Sequence, residues 1–115
     1  MIRMLVTTVA ASLAIAASAS AAPSGTPLMV VRQTVTDYAK WRPLYDAHQP
    51  ARTDAGLSNC TVRLSADDPN VVFVACAMAD LAKARAFAVS KSLADAMKGA
   101  GVVGKPDIWF LTAEK

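Results

Sequence analysis

Cys60-Thr61-Val62-Arg63-Leu64 and Val71-Val72-Phe73-Val74-Ala75-Cys76-Ala77-Met78, joined through Asp67-Asp68-Pro69-Asn70, are the stretch from which the fold can be read. Two β-prone runs meeting at an Asp/Pro/Asn turn predict a β-hairpin. The second arm is apolar at odd and even positions alike, so both of its faces must be hidden. One is expected to lie under helices and the other against further protein.

Upstream, Leu28-Met29-Val30-Val31-Arg32-Gln33-Thr34-Val35 reads as a buried strand, and Asp37 as a helix N-cap. From Tyr38 to about Ala55, the residues Tyr38, Trp41, Leu44/Tyr45, His48 and Arg52 repeat at helical spacing. Gly56 stands where a left-handed C-cap is expected. Pro43 lies beyond the first turn and predicts a kink, and Pro50 predicts a second break with an irregular last turn. Downstream, Asp80 caps a second helix with Leu81, Ala84, Phe87 and Ala88 on its apolar stripe. Ser90 to Ser92 interrupts that helix before a continuation through Leu93, Ala96 and Met97, which Gly99 and Gly101 end. A last strand, Asp107 to Thr112, follows Pro106. The order is βαββαβ, an α+β ferredoxin-like split βαβ: an antiparallel sheet with two helices on one face. With Val71–Met78 and Ile108–Leu111 apolar on both sides, a homodimer with its sheets packed face to face is the expected way to cover the other face.

The ends of the chain bear on compartment. Met1 to Met4 is a short basic start, Leu5 to Ala17 an uncharged apolar run, and Ser18 to Ala22 a small-residue stretch, the pattern of a secretory signal peptide. Cleavage is expected after Ala21, where Ala19 and Ala21 supply the small side chains. The apolar run is shorter than the roughly 20 residues of a spanning helix, so no membrane association is expected after cleavage. The expected organisation is thus a leader over 1–21, a linker over 22–27 and one domain over 28–115, in a periplasmic or secreted protein. Removing 21 of the 115 residues takes away Arg3 and lowers the formal charge from +3 to +2 over 94 residues. A balance so near neutral gives no patch for nucleic acid. Ninety-four residues can bury one core, with dimerisation or a disulfide as support.

Several motifs carry a family likeness: Asp37-Tyr38-x-x-Trp41-Arg42-Pro43-x-Tyr45-Asp46-x-His48 with Arg52, Asp68-Pro69-Asn70, Asp80-Leu81-x-Lys83-Ala84-Arg85-x-Phe87, and Met97-x-x-Ala100-Gly101-Val102-Val103-Gly104-x-Pro106. Together they resemble the dimeric α+β barrel superfamily, most of all its short proteins labelled cyclase or antibiotic-biosynthesis-monooxygenase-like. The resemblance covers essentially the whole mature chain. It implies a homodimer with a cavity between helices and sheet. Some members of that superfamily oxidise aromatic polyketides without metal or flavin, some degrade haem, and many have no known reaction.

Trp41, Tyr45, His48 and Arg52, spaced 4, 3 and 4, share one helical face. If that face borders a cavity, Trp41 and Tyr45 give flat apolar walls. His48 can move a proton near neutral pH, and Arg52 can bind an enolate or carboxylate. The expected catalytic pair is therefore His48 and Arg52, and the expected ligand-binding set Tyr38, Trp41, Tyr45 and Trp109. The plainer reading makes Trp41 and Tyr45 core, His48 a rim residue, and Arg52 a surface side chain lying along the protein. One His and two Cys on separate strands offer no metal-ligand spacing, and the Asn, Trp and His set of the haem-degrading relatives has no counterpart here. No metal and no cofactor are expected.

Export would place Cys60 and Cys76 where disulfides form. A two-residue loop at Pro69-Asn70 sets Cys60 opposite Ala79, whereas a three-residue loop at Asp67-Asp68-Pro69 sets it opposite Cys76; the sequence leaves both open. Asn59-Cys60-Thr61 matches a glycosylation sequon, but a bacterial-style leader makes it a chance match. Three functions remain: a binding module for a small aromatic or apolar metabolite, a cofactor-independent monooxygenase or cyclase acting on an aromatic or polyketide-like substrate, and a structural dimer with a filled interior.

Overall fold

The structure is a computed structural model that describes residues 25–114. The expected leader, its cleavage point and the first part of the linker lie outside the described residues. The elements run β1 (Leu28–Val35), α1 (Tyr38–Ala47), α2 (Gln49–Asp54), β2 (Leu57–Leu64), β3 (Val71–Met78), α3 (Leu81–Ala88), α4 (Lys91–Gly99) and β4 (Val102–Leu111). The strands form one antiparallel sheet in the order β2-β3-β1-β4. The chain therefore has the ferredoxin-like α+β fold, with each βαβ helix region split in two.

Both splits follow from local chemistry. Asp37 starts α1 by accepting from the Ala39 N–H at 2.9 Å. Pro43 is accommodated within α1, and the break comes at His48 instead. Pro50 has no N–H for the Asp46 carbonyl, and its ring would crowd that carbonyl, so the break expected from Pro50 is present, at His48, and the helix restarts as α2. Gly56 follows α2 at φ +77°, the left-handed residue foreseen there. Ser90 makes the second split: its Oγ donates to the Phe87 carbonyl at 2.7 Å and accepts from the Leu93 N–H at 3.1 Å, closing α3 and capping α4 with one side chain.

Two strands are longer than the sequence suggests. β4 begins at Val102 and carries Pro106 inside it, because β4 is a sheet edge and its pairing with β1 is irregular between Arg32 and Thr34, where no ladder donor is required of the proline. β2 begins at Leu57, with a bulge between Ser58 and Thr61 and Asn59 in the left-handed region at φ +49°. Beyond the bulge, Thr61 faces Ala75 and Leu64 faces Val72, and the Ser65 N–H donates to the Val71 carbonyl at 2.9 Å. The connection is thus longer than either loop considered from sequence, yet it keeps the register that sets Cys60 against Cys76. A disulfide joins them, with Cα atoms 4.0 Å apart.

The core lies between sheet and helices. Its floor is the inward rows Met29, Val31, Gln33 and Val35 of β1 and Val72, Val74, Cys76 and Met78 of β3, all buried. Trp41 of α1 and Ala84 of α3 press down on it. The opposite face of the sheet presents Leu28, Val30, Phe73 and Ala75 among other apolar side chains, with Trp109 and Leu111 nearly half exposed. An Arg32–Asp107 ion pair at 3.2 Å crosses its middle.

Candidate functional site

Under the helices, the floor opens into a cavity of about 60 Å³. That is several times the roughly 10–15 Å³ that holds one water. Met29, Val31 and Gln33 of β1 and Val74 and Cys76 of β3 form its base, so the disulfide braces the strand carrying one part of that base. The walls come from both helix pairs: Trp41, Tyr45, His48 and Arg52 on one side, Phe87 and Met97 on the other. The lining is mostly apolar with a few convergent polar groups, the composition of a small-molecule site.

The aromatic wall is ordered by stacking. The Trp41 and Tyr45 rings lie 4.7 Å apart and nearly parallel, and Tyr38 leans on Trp41 at 5.8 Å. Trp41 is 2% exposed and fixes the wall from beneath. Arg52 then covers Tyr45: its guanidinium carbon sits 3.8 Å from the ring centroid, and its Nη1 donates to the Tyr45 carbonyl at 2.8 Å. That carbonyl, in the last turn of α1, also accepts from the His48 N–H at 3.1 Å, so Arg52 shares an acceptor at the end of α1. His48 sits at the same junction and stacks on Phe87 at 6.1 Å.

The electrostatics depart from those of free side chains. Arg52 is 9% exposed, with no carboxylate in ion-pair contact among the described residues. Burial pulls its pKa below the ordinary value, an effect partly offset by Tyr45 and Asp46. Burial also pushes the Tyr45 hydroxyl up, against the pull of Arg52 and Arg42. Burial, and then the positive charge of Arg52, hold His48 below its usual value. Both effects favour the neutral imidazole of His48, the form that accepts a proton, beside a cation that can receive an oxyanion.

Of the residues expected from sequence, Trp41, Tyr45, His48 and Arg52 meet around this one cavity. Tyr38 stands behind Trp41 and does not line it. Trp109, expected in the ligand-binding set, does not line this cavity. The β1–β4 register pairs it with Val30, on the sheet face away from the helices, and it is 45% exposed. Its inward neighbours Ile108 and Phe110 pack on the core instead. Gln33 lines the cavity and was not foreseen, although its signal was available: in the inward alternation Met29, Val31, Gln33, Val35 it is the one polar member. No group of three or more His, Cys, Asp or Glu side chains that could hold a metal occurs among the described residues.

No family model matches the chain, and no curated protein matches it. Solved structures do. A protein of Bordetella bronchiseptica assigned to the antibiotic biosynthesis monooxygenases superposes with a TM-score of 0.65 at 13% identity, over 79% of this chain and 99% of that one. SnoaB, a cofactor-independent oxygenase from Streptomyces nogalater, gives 0.61 at 15% identity over 79% and 95%. The ActVA-Orf6 monooxygenase of Streptomyces coelicolor, in complex with nanaomycin D, gives 0.52 at 17% identity over 82% and 92%. The chain shares the ferredoxin-like α+β fold of these proteins.

Proposed function

We propose that this chain is an exported, homodimeric protein of the antibiotic-biosynthesis-monooxygenase fold that binds a small aromatic or apolar metabolite between its helices and its sheet. The observation that carries the proposal is Arg52, a buried cation with no carboxylate in ion-pair contact among the described residues, standing over an aromatic wall beside His48, whose pKa is lowered by burial and by Arg52. A buried charge is costly unless it is compensated, and an acidic oxygen on a bound ring supplies the compensation. The dimer follows from the outer sheet face, whose apolar rows beside Trp109 and Leu111 form a surface that a second copy can cover. Export accounts for the leader-like start and suits the disulfide.

The fold shared with SnoaB and His48's depressed pKa favour a second reading, turnover of the bound ring. His48 would take a phenolic proton and Arg52 would hold the resulting oxyanion. Dioxygen would then convert a ring C–H to a carbonyl, one oxygen atom entering the quinone and the other leaving as water with both hydrogens.

Native mass spectrometry of the protein purified from its own host tests these readings together. A dimer mass carrying a small molecule, lost in Arg52→Ala, is expected. A monomer removes the homodimer, and an adduct indifferent to Arg52→Ala removes the assigned site. Dioxygen consumption with the recovered molecule, abolished in His48→Ala while the molecule is still retained, selects the oxygenase.

A further inference from the structure

Gln33 is 6% exposed, lines the cavity floor, and has no hydrogen-bond partner for its Oε1 among the described residues. It stands in the central strand β1, between Val31 and Val35 on the inward row and facing Val72 of β3. An aliphatic side chain would satisfy that position. Buried polar groups are almost always paired, and an orphan amide oxygen in a core is a standing cost. The terminal torsion of glutamine is soft, so either amide atom can turn to a group arriving in the cavity. Tyr45 on the facing wall repeats the pattern, since its hydroxyl is also buried and without a partner among the described residues. Two orphan polar atoms on one small, mostly apolar cavity point to an occupant with a polar group of its own.

We infer that Gln33 is the specificity-determining residue of this cavity. Its carboxamide hydrogen-bonds a hydroxyl on the bound ring, so that the site selects a small hydroxylated aromatic over the hydrocarbon of the same shape. The inference rests on the reading that the cavity holds a ligand. It adds the group that Gln33 recognises, on the floor and apart from the charge that Arg52 binds. A site built to hydrogen-bond a substrate hydroxyl rejects the analogue lacking it far more strongly than an apolar pocket discriminates by size, because rejection leaves the protein's polar group unpaired.

Phenol and toluene, alike in shape and differing in hydroxyl against methyl, are the probes, titrated calorimetrically into the full chain. Wild type is expected to bind phenol at least about tenfold more tightly than toluene. Gln33→Met, close in shape and without the amide, is expected to bring that ratio to about one. In the absence of ligand the same substitution raises Tm by about 4 °C or more, because it removes an unsatisfied buried group from a domain of this size. A phenol preference that survives Gln33→Met overturns the inference, as does a lowered Tm, which would mean the amide is structural. Equal binding of both probes to wild type overturns it while leaving the ligand-binding reading intact, whereas binding of neither removes that reading too. Tyr45→Phe separates the two orphans: the phenol preference persists in it if Gln33 is the reader, and its loss there would reassign the role to Tyr45.

Discussion

Breaking the Cys60–Cys76 bond should cost this domain about 3 kcal/mol. The two residues are 16 apart in sequence. Cross-linking a loop of that length removes about 10 cal/mol/K of chain entropy from the unfolded state, which is about 3 kcal/mol at 25 °C. A domain of this size holds about 5–14 kcal/mol in total, so the bond accounts for a large fraction of it. At about 4–8 °C per kcal/mol, the expected fall in Tm is about 12–24 °C. Reduction of the wild-type chain isolates the cross-link, since it changes no side-chain volume. Cys60→Ala with Cys76→Ala should fall slightly further, because Cys76 is fully buried on the cavity floor and its sulfur leaves a void. Calorimetric Tm values for the oxidised chain, the reduced chain and the double variant at one pH provide the comparison. A reduced chain melting within about 3 °C of the oxidised one would refute the loop-entropy reasoning and mean that the unfolded hairpin keeps its two arms together without the bond.

Two further outcomes are expected. His48 has a folded pKa below its unfolded value of about 6.5, because burial and Arg52 disfavour its charged form. The unfolded chain therefore binds the proton first, so the stability linked to neutral His48 is present above pH 6.5 and is lost as pH falls from there toward the folded value. Urea unfolding between pH 5 and 8 checks this, and His48→Gln should flatten that slope; an unchanged slope would place the titration elsewhere. Trp41→Ala removes a ring that is buried on the core and stacked on Tyr45. It should cost about 3–5 kcal/mol by urea denaturation, and a loss under about 1 kcal/mol would show that Trp41 does not anchor the wall.

Much of this molecule is legible in its sequence because its signals are local. Asp37 and Asp80 lie where N-cap side chains pair with the next turn, Gly56 where a left-handed residue ends a helix, and Ser90 where one hydroxyl can close a helix and open another. The apolar alternation on both faces of Val71–Met78 fixes a central strand, and with the order of elements it leads to the ferredoxin-like sheet. The 4-3-4 spacing of Trp41, Tyr45, His48 and Arg52 by itself places them on one side. That spacing holds across the His48 break because α2 resumes immediately.

What spacing along the chain does not carry is anything set by pairing between distant segments. Strand register depends on a bulge at Asn59 and on the length of the 66–70 connection, so the Cys60–Cys76 bond stayed open until β2 met β3. Trp109 reads as well for the cavity as for the outer face, because a strand reverses its faces with a one-residue shift. The bulged pairing of β4 with β1 sends it outward. Gln33 looks like one polar residue in an apolar strand, and only the packed structure shows that its Oε1 has no partner among the described residues. Local patterning thus determined the elements, their order and the composition of one helical wall. Tertiary packing alone decided the register, the disulfide, the side on which each aromatic residue falls, and which buried polar groups remain without a partner, because each of these is a relation between atoms that the chain brings together only by folding.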